Sequence, residues 1–241
     1  MTRFTTAAIA ALIAGQATTA FADEIKVGLL LPYSGVYAAL GGEIEAGFTL
    51  GLETFGGQTD DTFVVVKEDT EVKPPVGLAK AKKLALQDKA DVIVGVVSSG
   101  VLGAVRDFVD GVGVPLVVAN EGNDAATGED CSPFITRFSF SNSQVNRPMG
   151  QYLVDQGITK VFTMAPDYAA GHQQIGAFKA AFEAAGGEIV GQEFTPFQKT
   201  QDFGPYMANA KSSEAQAVNV NSAGGEAISY VKQYDSIGRK E

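Results

Sequence analysis

The sequence predicts an α/β protein of two lobes, each built on a doubly wound parallel sheet, with the second lobe incomplete. Runs of β-branched residues alternate four times with helical segments before residue 140. Short turns join these segments, which favours parallel strands linked by right-handed crossovers. The alternation then restarts, and polar loops again follow the strands. Two sheets that face each other across a cleft are therefore expected.

The first 22 residues have the three regions of a secretory signal peptide. Arg3 precedes an Ala-rich apolar run over residues 7–14, and an A-x-A cleavage site ends at Ala22. The run is too short to span a membrane. No cysteine directly follows the cleavage point to accept a lipid. The mature chain is therefore predicted to lie outside the cytoplasm without a lipid anchor.

The composition excludes some classes of partner. The formal net charge is -10, from 18 basic and 28 acidic residues, which argues against nucleic acid as a partner. A single cysteine, Cys131, cannot form an internal disulfide, so packed cores must stabilise the fold. With 45% hydrophobic residues the chain can supply such cores. We expect a monomer.

The N-terminal lobe is predicted over residues 23–140. Each of its first three strands is followed by a helix, and the helix boundaries carry recognisable signals. The Gly41-Gly42 pair precedes the first helix, Pro74 opens the second, and Ser98 or Ser99 caps the third. The predicted strands are 25–31, 63–66, 92–97 and 115–118, and the third helix covers 100–110.

The second lobe is predicted over residues 141–241. Residues 135–140 alternate apolar and polar side chains, as in a strand that crosses between lobes, and Ser141 to Ser143 can cap the next helix. Only three buried strands follow, and the sequence stops just after a helix, so a C-terminal truncation is expected. The predicted strands are 161–164, 188–194 and 217–220, and the helices are 144–156, 168–185, 203–209 and 226–237.

Polar side chains follow two neighbouring strands of the first lobe. Ser98 and Ser99 end the third strand, and the helix after them presents free N–H groups and a positive dipole end to an anion. The loop after the fourth strand carries three more polar side chains, Asn120, Glu121 and Asn123. Since ligands of open α/β sheets bind at the carboxyl ends of strands, these residues are candidates for a carboxylate site. The alternatives are that the two serines only cap the helix and that the three residues after the fourth strand lie in a solvated loop.

An enzyme is not predicted. His172 has no triad partner in the sequence pattern, and no G-x-S-x-G motif surrounds Ser99, so a serine hydrolase is the weaker alternative. One histidine and one cysteine offer no pair of metal ligands. The chain also lacks G-x-G-x-x-G and P-loop motifs. We therefore expect no metal and no cofactor.

Four segments together resemble the exported solute-binding proteins of ABC transporters, in the Leu/Ile/Val-binding family. The resemblance covers residues 23–241. It implies the type I periplasmic-binding-protein fold, a ligand held between two lobes and delivery to a membrane permease. The segments are EIKVGLLLPYSGVYAALGGEIEAG, EDTEVKPPVGLAKAKKL, VIVGVVSSG and CSPFITRFSFSNSQ.

The resemblance also assigns roles to single residues. Ser99 matches the serine that holds the ligand's carboxylate, with Ser98 beside it, and the strand-four loop matches the part that contacts the ligand's polar head. Tyr168 matches an aromatic residue that closes over the ligand, and Asn221 lies near another contact of the second lobe. Tyr33, Tyr37 or Tyr168 is expected to pack on the ligand's apolar body.

The resemblance leaves the ligand open between a branched-chain amino acid and an aromatic acid. Leu40 stands where amino-acid binders often carry an aromatic side chain. The CSPF crossover and the Asn-rich strand-four loop look more like the binders of aromatic carboxylates. The acidic residue that pairs with an amino acid's ammonium group is expected beyond residue 241. A ligand-sensing domain of a receptor, which has the same fold, is the other alternative.

Overall fold

The computed structural model describes residues 22–238, so the predicted signal peptide lies outside it except for Ala22. Within this range strands and helices alternate as the sequence predicts. The strands are β1 (Glu24–Leu31), β2 (Thr62–Asp69), β3 (Val92–Gly95), β4 (Leu116–Val118), β5 (Ile135–Arg137), β6 (Lys160–Pro166), β7 (Glu188–Thr195) and β8 (Ala217–Val220). The helices are α1 (Ala38–Phe55), α2 (Pro74–Lys82), α3 (Ser99–Val112), α4 (Asn142–Asp155), α5 (Ala169–Ala184), α6 (Gly204–Ser212) and α7 (Gly224–Gly238).

The strands form two separate parallel sheets. The first has the order β2-β1-β3-β4-β5, and the second has the order β7-β6-β8. β1 lies between β2 and β3 in the first sheet, and its Leu29 is paired with Lys67 of β2 and Val94 of β3. All pairings are parallel, and helices connect most of the strands, which confirms the predicted α/β class with doubly wound sheets.

The third strand ends two residues earlier than the sequence predicts. Gly95 has φ 139°, and Val96 has φ 48°, a left-handed conformation that is rare for a β-branched residue. The Val96 N–H still donates to the Leu30 carbonyl at 2.9 Å, and its side chain is fully buried. The apolar run is therefore a short strand followed by a buried turn, which directs the chain into α3.

Two other boundaries differ from the prediction. The crossing strand predicted over residues 135–140 is only three residues long and pairs with β4 at the edge of the first sheet. α1 begins at Ala38 instead of after Gly42, because a 3-10 turn over Gly35–Tyr37 leads directly into it. α4 begins as expected near Ser141, whose side chain forms a capping box with Gln144.

Each lobe has its own apolar core. In the first lobe, α2 and α3 cover one face of the sheet, and α1 covers the other. In the second lobe, Phe178 and Phe182 of α5 stack with their ring centroids 5.4 Å apart, and Val161 of β6 packs against them. Such burial of apolar surface is the main stabilising contribution in a fold without disulfides.

The lobes meet through a small number of elements. α4 packs along α5, the helix that follows β6 of the second sheet. α3 contacts α5, and α7 contacts the Gly35–Tyr37 turn. Within residues 22–238, no helix is long and apolar enough to span a membrane.

Candidate functional site

A buried polar cluster lies at the carboxyl ends of β3 and β4. Ser99 is the first residue of α3 and is 2% exposed. Its hydroxyl donates a short hydrogen bond to Oε1 of Glu121, and Asn142 Nδ2 donates to Ser99 Oγ at 3.2 Å. Ser98 occupies the N-cap position, but its side chain makes no capping bond.

Glu121 is the centre of this cluster. The Asn123 N–H also donates to Glu121 Oε1, at 2.5 Å, and Asn123 Nδ2 donates to the Ser99 carbonyl at 3.3 Å. The other carboxyl oxygen, Oε2, is buried and has no hydrogen-bond partner among the described residues. Burial raises the pKa of Glu121 to about 7, although the bonds from Ser99 and Asn123 and the charge of Arg137 act in the opposite direction.

Side chains of the second lobe close over the cluster. Gln173 of α5 accepts from Asn142 Nδ2 at 2.7 Å and from the Asp124 N–H at 3.2 Å, and it donates to Asn123 Oδ1 at 3.1 Å. Neither Asn142 nor Gln173 was identified from the sequence. Asn142 could have been found, because it lies in the predicted capping segment, whereas nothing in the helical pattern distinguishes Gln173.

An aromatic group from both lobes lies at the same junction. The hydroxyls of Tyr37 and Tyr168 are 2.9 Å apart, and the Tyr168 ring stacks on Phe197 with centroids 4.0 Å apart. Burial, together with the negative charges of Glu121 and Glu226, raises the pKa of Tyr168 to about 12. The Tyr168 hydroxyl is therefore neutral and lies within the field of two carboxyl groups.

A second carboxyl group, Glu226, lies in the first turn of α7. It is 5% exposed, its Oε1 accepts from the Gln198 N–H at 2.8 Å, and its Oε2 has no partner in the described chain. Burial raises its pKa. Two neighbouring polar atoms, Asn221 Nδ2 and Ser222 Oγ, are also buried without partners. Glu226 was not among the residues predicted from the sequence, where an acidic residue was expected only beyond residue 241.

The structure thus brings together most of the residues that the sequence singled out. Ser99, Glu121 and Asn123 form one hydrogen-bonded cluster, and Tyr37 bonds to Tyr168. Asn120 is half-buried in the same loop, and no hydrogen bond within residues 22–238 joins its side chain to the cluster. The Asn221 N–H is bonded to the Met164 carbonyl at 2.9 Å, which fixes the loop after β8.

The histidine is engaged elsewhere. His172 Nε2 lies 2.8 Å from Asp167 Oδ1, and both side chains are more than half exposed. The hydroxyl of Ser99 bonds to Glu121 and Asn142, so no serine–histidine pair is formed. Among the described residues, no group of three or more histidine, cysteine or acidic side chains is arranged to hold a metal ion.

Comparison with known proteins identifies the family. A family model described as "Periplasmic binding protein" matches residues 24–241. The Leu/Ile/Val-binding protein homolog 6 of Brucella melitensis is 33% identical over 227 residues, which are 93% of this chain and 57% of that protein. Homolog 4 of Brucella abortus is 26% identical and covers 97% of this chain and 59% of its own length.

Solved structures show the same fold. A solute-binding protein of an ABC transporter from R. palustris, in complex with benzoate, matches with a TM-score of 0.85 and 36% identity, over 88% of this chain and 59% of that one. Another from R. palustris, in complex with 4-hydroxybenzoate, matches with a TM-score of 0.82 and 32% identity, over 90% and 59%. This chain spans less than three fifths of the length of these relatives. The family match covers nearly all of the described residues, and the chain therefore belongs to the periplasmic binding protein family, with the type I fold that its sequence predicts.

Proposed function

We propose that this protein is the solute-binding component of an ABC importer. It captures a small carboxylate between its two lobes in the periplasm, as a monomer, and delivers it to a membrane permease. It catalyses no reaction, holds no cofactor and binds no nucleic acid. The observation that carries this proposal is a set of buried polar atoms, supplied by both lobes, that have no hydrogen-bond partner among the described residues.

These atoms come from both lobes. Glu121 Oε2 belongs to the loop after β4, while Asn221 Nδ2 and Ser222 Oγ belong to the loop after β8 and Glu226 Oε2 to the first turn of α7. A buried polar group without a hydrogen bond is costly, so such groups normally have a partner that completes them. A ligand with polar ends is a suitable partner, because it bonds to groups of both lobes at once.

The aromatic group supports an aromatic acid as the ligand class. Tyr37, Tyr168 and Phe197 offer ring faces beside the polar cluster, and aromatic rings favour stacked or edge-to-face neighbours. The solved relatives from R. palustris hold benzoate and 4-hydroxybenzoate. The Brucella relatives are named for leucine, isoleucine and valine, and a branched-chain amino acid is therefore the second candidate ligand.

Capture follows from closure of the lobes. A ligand that contacts groups of both lobes stabilises the closed form relative to the open one, and its differential affinity sets the shift between the two populations. The Tyr37–Tyr168 hydrogen bond and the Gln173 contacts with Asn123 and Asp124 join the lobes here. The permease then has a closed surface to recognise.

A thermal-shift screen tests the ligand class. The protein is melted with benzoate, 4-hydroxybenzoate, cinnamate, leucine and a short amide, each in large excess. A ligand that binds only the folded state raises the melting temperature by mass action. We expect a rise with the aromatic acids. A rise with leucine alone would instead indicate the amino-acid branch, and no rise with any acid would contradict the proposed function.

Ser99→Ala is expected to weaken carboxylate binding by about 1.5–3 kcal/mol, the range for hydrogen bonds to charged groups. The substitution removes the hydroxyl that donates to Glu121 Oε1 in the polar cluster. Calorimetric titration with the acid found in the screen measures the change, which corresponds to about 10–150-fold in Kd. Ser212→Ala, which removes an exposed hydroxyl at the end of α6, serves as the matched control. An affinity equal to that of the control would contradict the assignment of Ser99.

A further inference from the structure

A ligand that is itself a carboxylate would bring a second negative charge to the polar cluster, which already holds the carboxyl group of Glu121. The donors best placed to hold such a ligand, the Ser99 hydroxyl and the Asn123 N–H, already point at Glu121 Oε1. Two ionised carboxylates that share one buried site repel each other strongly, and one of them then keeps a proton. If the protein binds acids, as proposed above, Glu121 must either leave the cluster or enter the complex uncharged.

The geometry favours an uncharged Glu121 that stays in place. Its Oε1 is fixed by two donors, whereas Oε2 is buried with no partner in the described residues, on a side chain that is 2% exposed. A protonated carboxyl group keeps a carbonyl oxygen that accepts and gains an O–H that donates. With the proton on Oε2, the bonds at Oε1 are retained, and one new donor becomes available to a ligand.

We propose that Glu121 is a specificity-determining residue that receives the carboxylate of the ligand as a neutral acid, through an O–H on Oε2. The O–H···O⁻ bond is charge-assisted and therefore belongs to the strong class of hydrogen bonds. The proton comes from solvent whenever free Glu121 is ionised, so ligand and proton bind together. The site thereby selects anionic acids and binds them more tightly as the pH falls.

The groups that face Glu121 are consistent with this role. Burial favours the neutral form and raises the pKa to about 7, while the positive charge of Arg137 on β5 favours the ionised form. Arg137 is itself bonded to the Asn123 carbonyl, at 2.8 Å. On the other side, Tyr168 is neutral, and the α4 and α5 side chains that reach the cluster, Asn142 and Gln173, are uncharged amides.

Two more acidic residues lie near the site, further away than the groups named above. Asp124, in the loop after β4, is bonded through its carboxylate to the backbone and hydroxyl of Ser143 on α4, which satisfies its charge. Glu226 on α7 is buried, which raises its pKa. Glu121→Gln leaves Asp124 and Glu226 in place, so a pH dependence that is lost in this variant is assigned to Glu121.

The test is a calorimetric titration of the protein with benzoate and with 4-hydroxybenzoate between about pH 5.5 and about pH 8.5. Benzoate is ionised throughout this range. We expect Kd to rise with pH, approaching about tenfold per unit above the pKa of Glu121. Titrations at about pH 8 in two buffers of different ionisation enthalpy are expected to report uptake of about one proton per ligand.

Glu121→Gln provides the sharpest variant. The amide keeps an acceptor for Ser99 and Asn123 and places an N–H donor where the Oε2 proton would be. We expect this variant to bind benzoate with a Kd independent of pH and without proton uptake. Glu214→Gln, which neutralises a carboxylate that is 80% exposed, is the control and is expected to keep the pH dependence of the wild type.

A ligand-free measurement supplements the titration. Because the neutral form of Glu121 is favoured by folding, the melting temperature of the wild type should fall relative to Glu121→Gln as the pH rises from about 5 to about 8. Wild-type binding with no pH dependence, or equal pH dependence in Glu121→Gln, would overturn this proposal while the proposed function stands. No binding of either acid at any pH would overturn this proposal, and no binding of leucine as well would overturn the proposed function.

Discussion

Gly224→Ala is expected to weaken ligand binding about 5–150-fold, because it prevents the lobes from closing fully. Gly224 begins α7 with φ 59°, and a Cβ built on it would lie 2.2 Å from the Val36 carbonyl oxygen and 2.8 Å from Tyr37 Cδ1. Val36 and Tyr37 belong to the other lobe, and the nearest atom is backbone, which cannot move aside. Overpacking of this kind costs about 1–3 kcal/mol, and it destabilises only the closed form, in which the two lobes are in contact.

Gly225→Ala is the matched control for this prediction. A Cβ at position 225 would meet its nearest atom, the Val36 carbonyl oxygen, at 3.8 Å, which is an ordinary van der Waals contact. Weak binding by Gly224→Ala could come from the clash of its Cβ or from the strain of a positive φ. Gly224→Asn separates these two causes, since asparagine tolerates a positive φ but still carries a Cβ. We expect Gly224→Ala and Gly224→Asn to bind weakly and Gly225→Ala to bind like the wild type.

The readouts are Kd by calorimetry and the radius of gyration by small-angle scattering with and without ligand. In the wild type, ligand is expected to make the molecule more compact. In Gly224→Ala the compaction is expected to be smaller. Equal affinities for the substitutions at positions 224 and 225 would show that this contact does not control closure.

Phe178→Ala is expected to lower the free energy of unfolding by about 3–5 kcal/mol, the range for removal of a large aromatic side chain from a core. Phe178 is fully buried, stacks on Phe182 and packs in the core between α5 and the second sheet. The truncation leaves a cavity that this tightly packed layer can only partly fill. Urea unfolding, followed by circular dichroism, measures the change.

Phe138→Ala is the control for the core substitution. This side chain is 76% exposed in the segment after β5, so its removal is expected to change stability by less than about 0.5 kcal/mol. A loss below about 1 kcal/mol in Phe178→Ala would contradict the core assignment. Since α5 also carries Gln173, a weakened α5 layer is expected to reduce ligand affinity as well.

The sequence by itself determined the order of the elements and the type of sheet. Strands such as β3 and β4 are continuous apolar runs rich in β-branched residues, and this pattern is local. It also led to Ser99, Glu121 and Asn123, because polar residues just after buried strands must lie at one edge of a parallel sheet. Periodicity and strand order therefore sufficed to predict the fold and to propose one wall of the candidate site.

Only the tertiary structure determined which side chains these residues contact. Gln173, Phe197 and Glu226 reach the junction from elements remote in sequence, and no local pattern sets them apart from other residues of their helices and loops. The raised pKa of Glu121 likewise depends on burial by both lobes and on contacts with distant segments. Local propensity fixes where strands and helices form, whereas the partner of a buried polar group is fixed only when packing brings distant segments together.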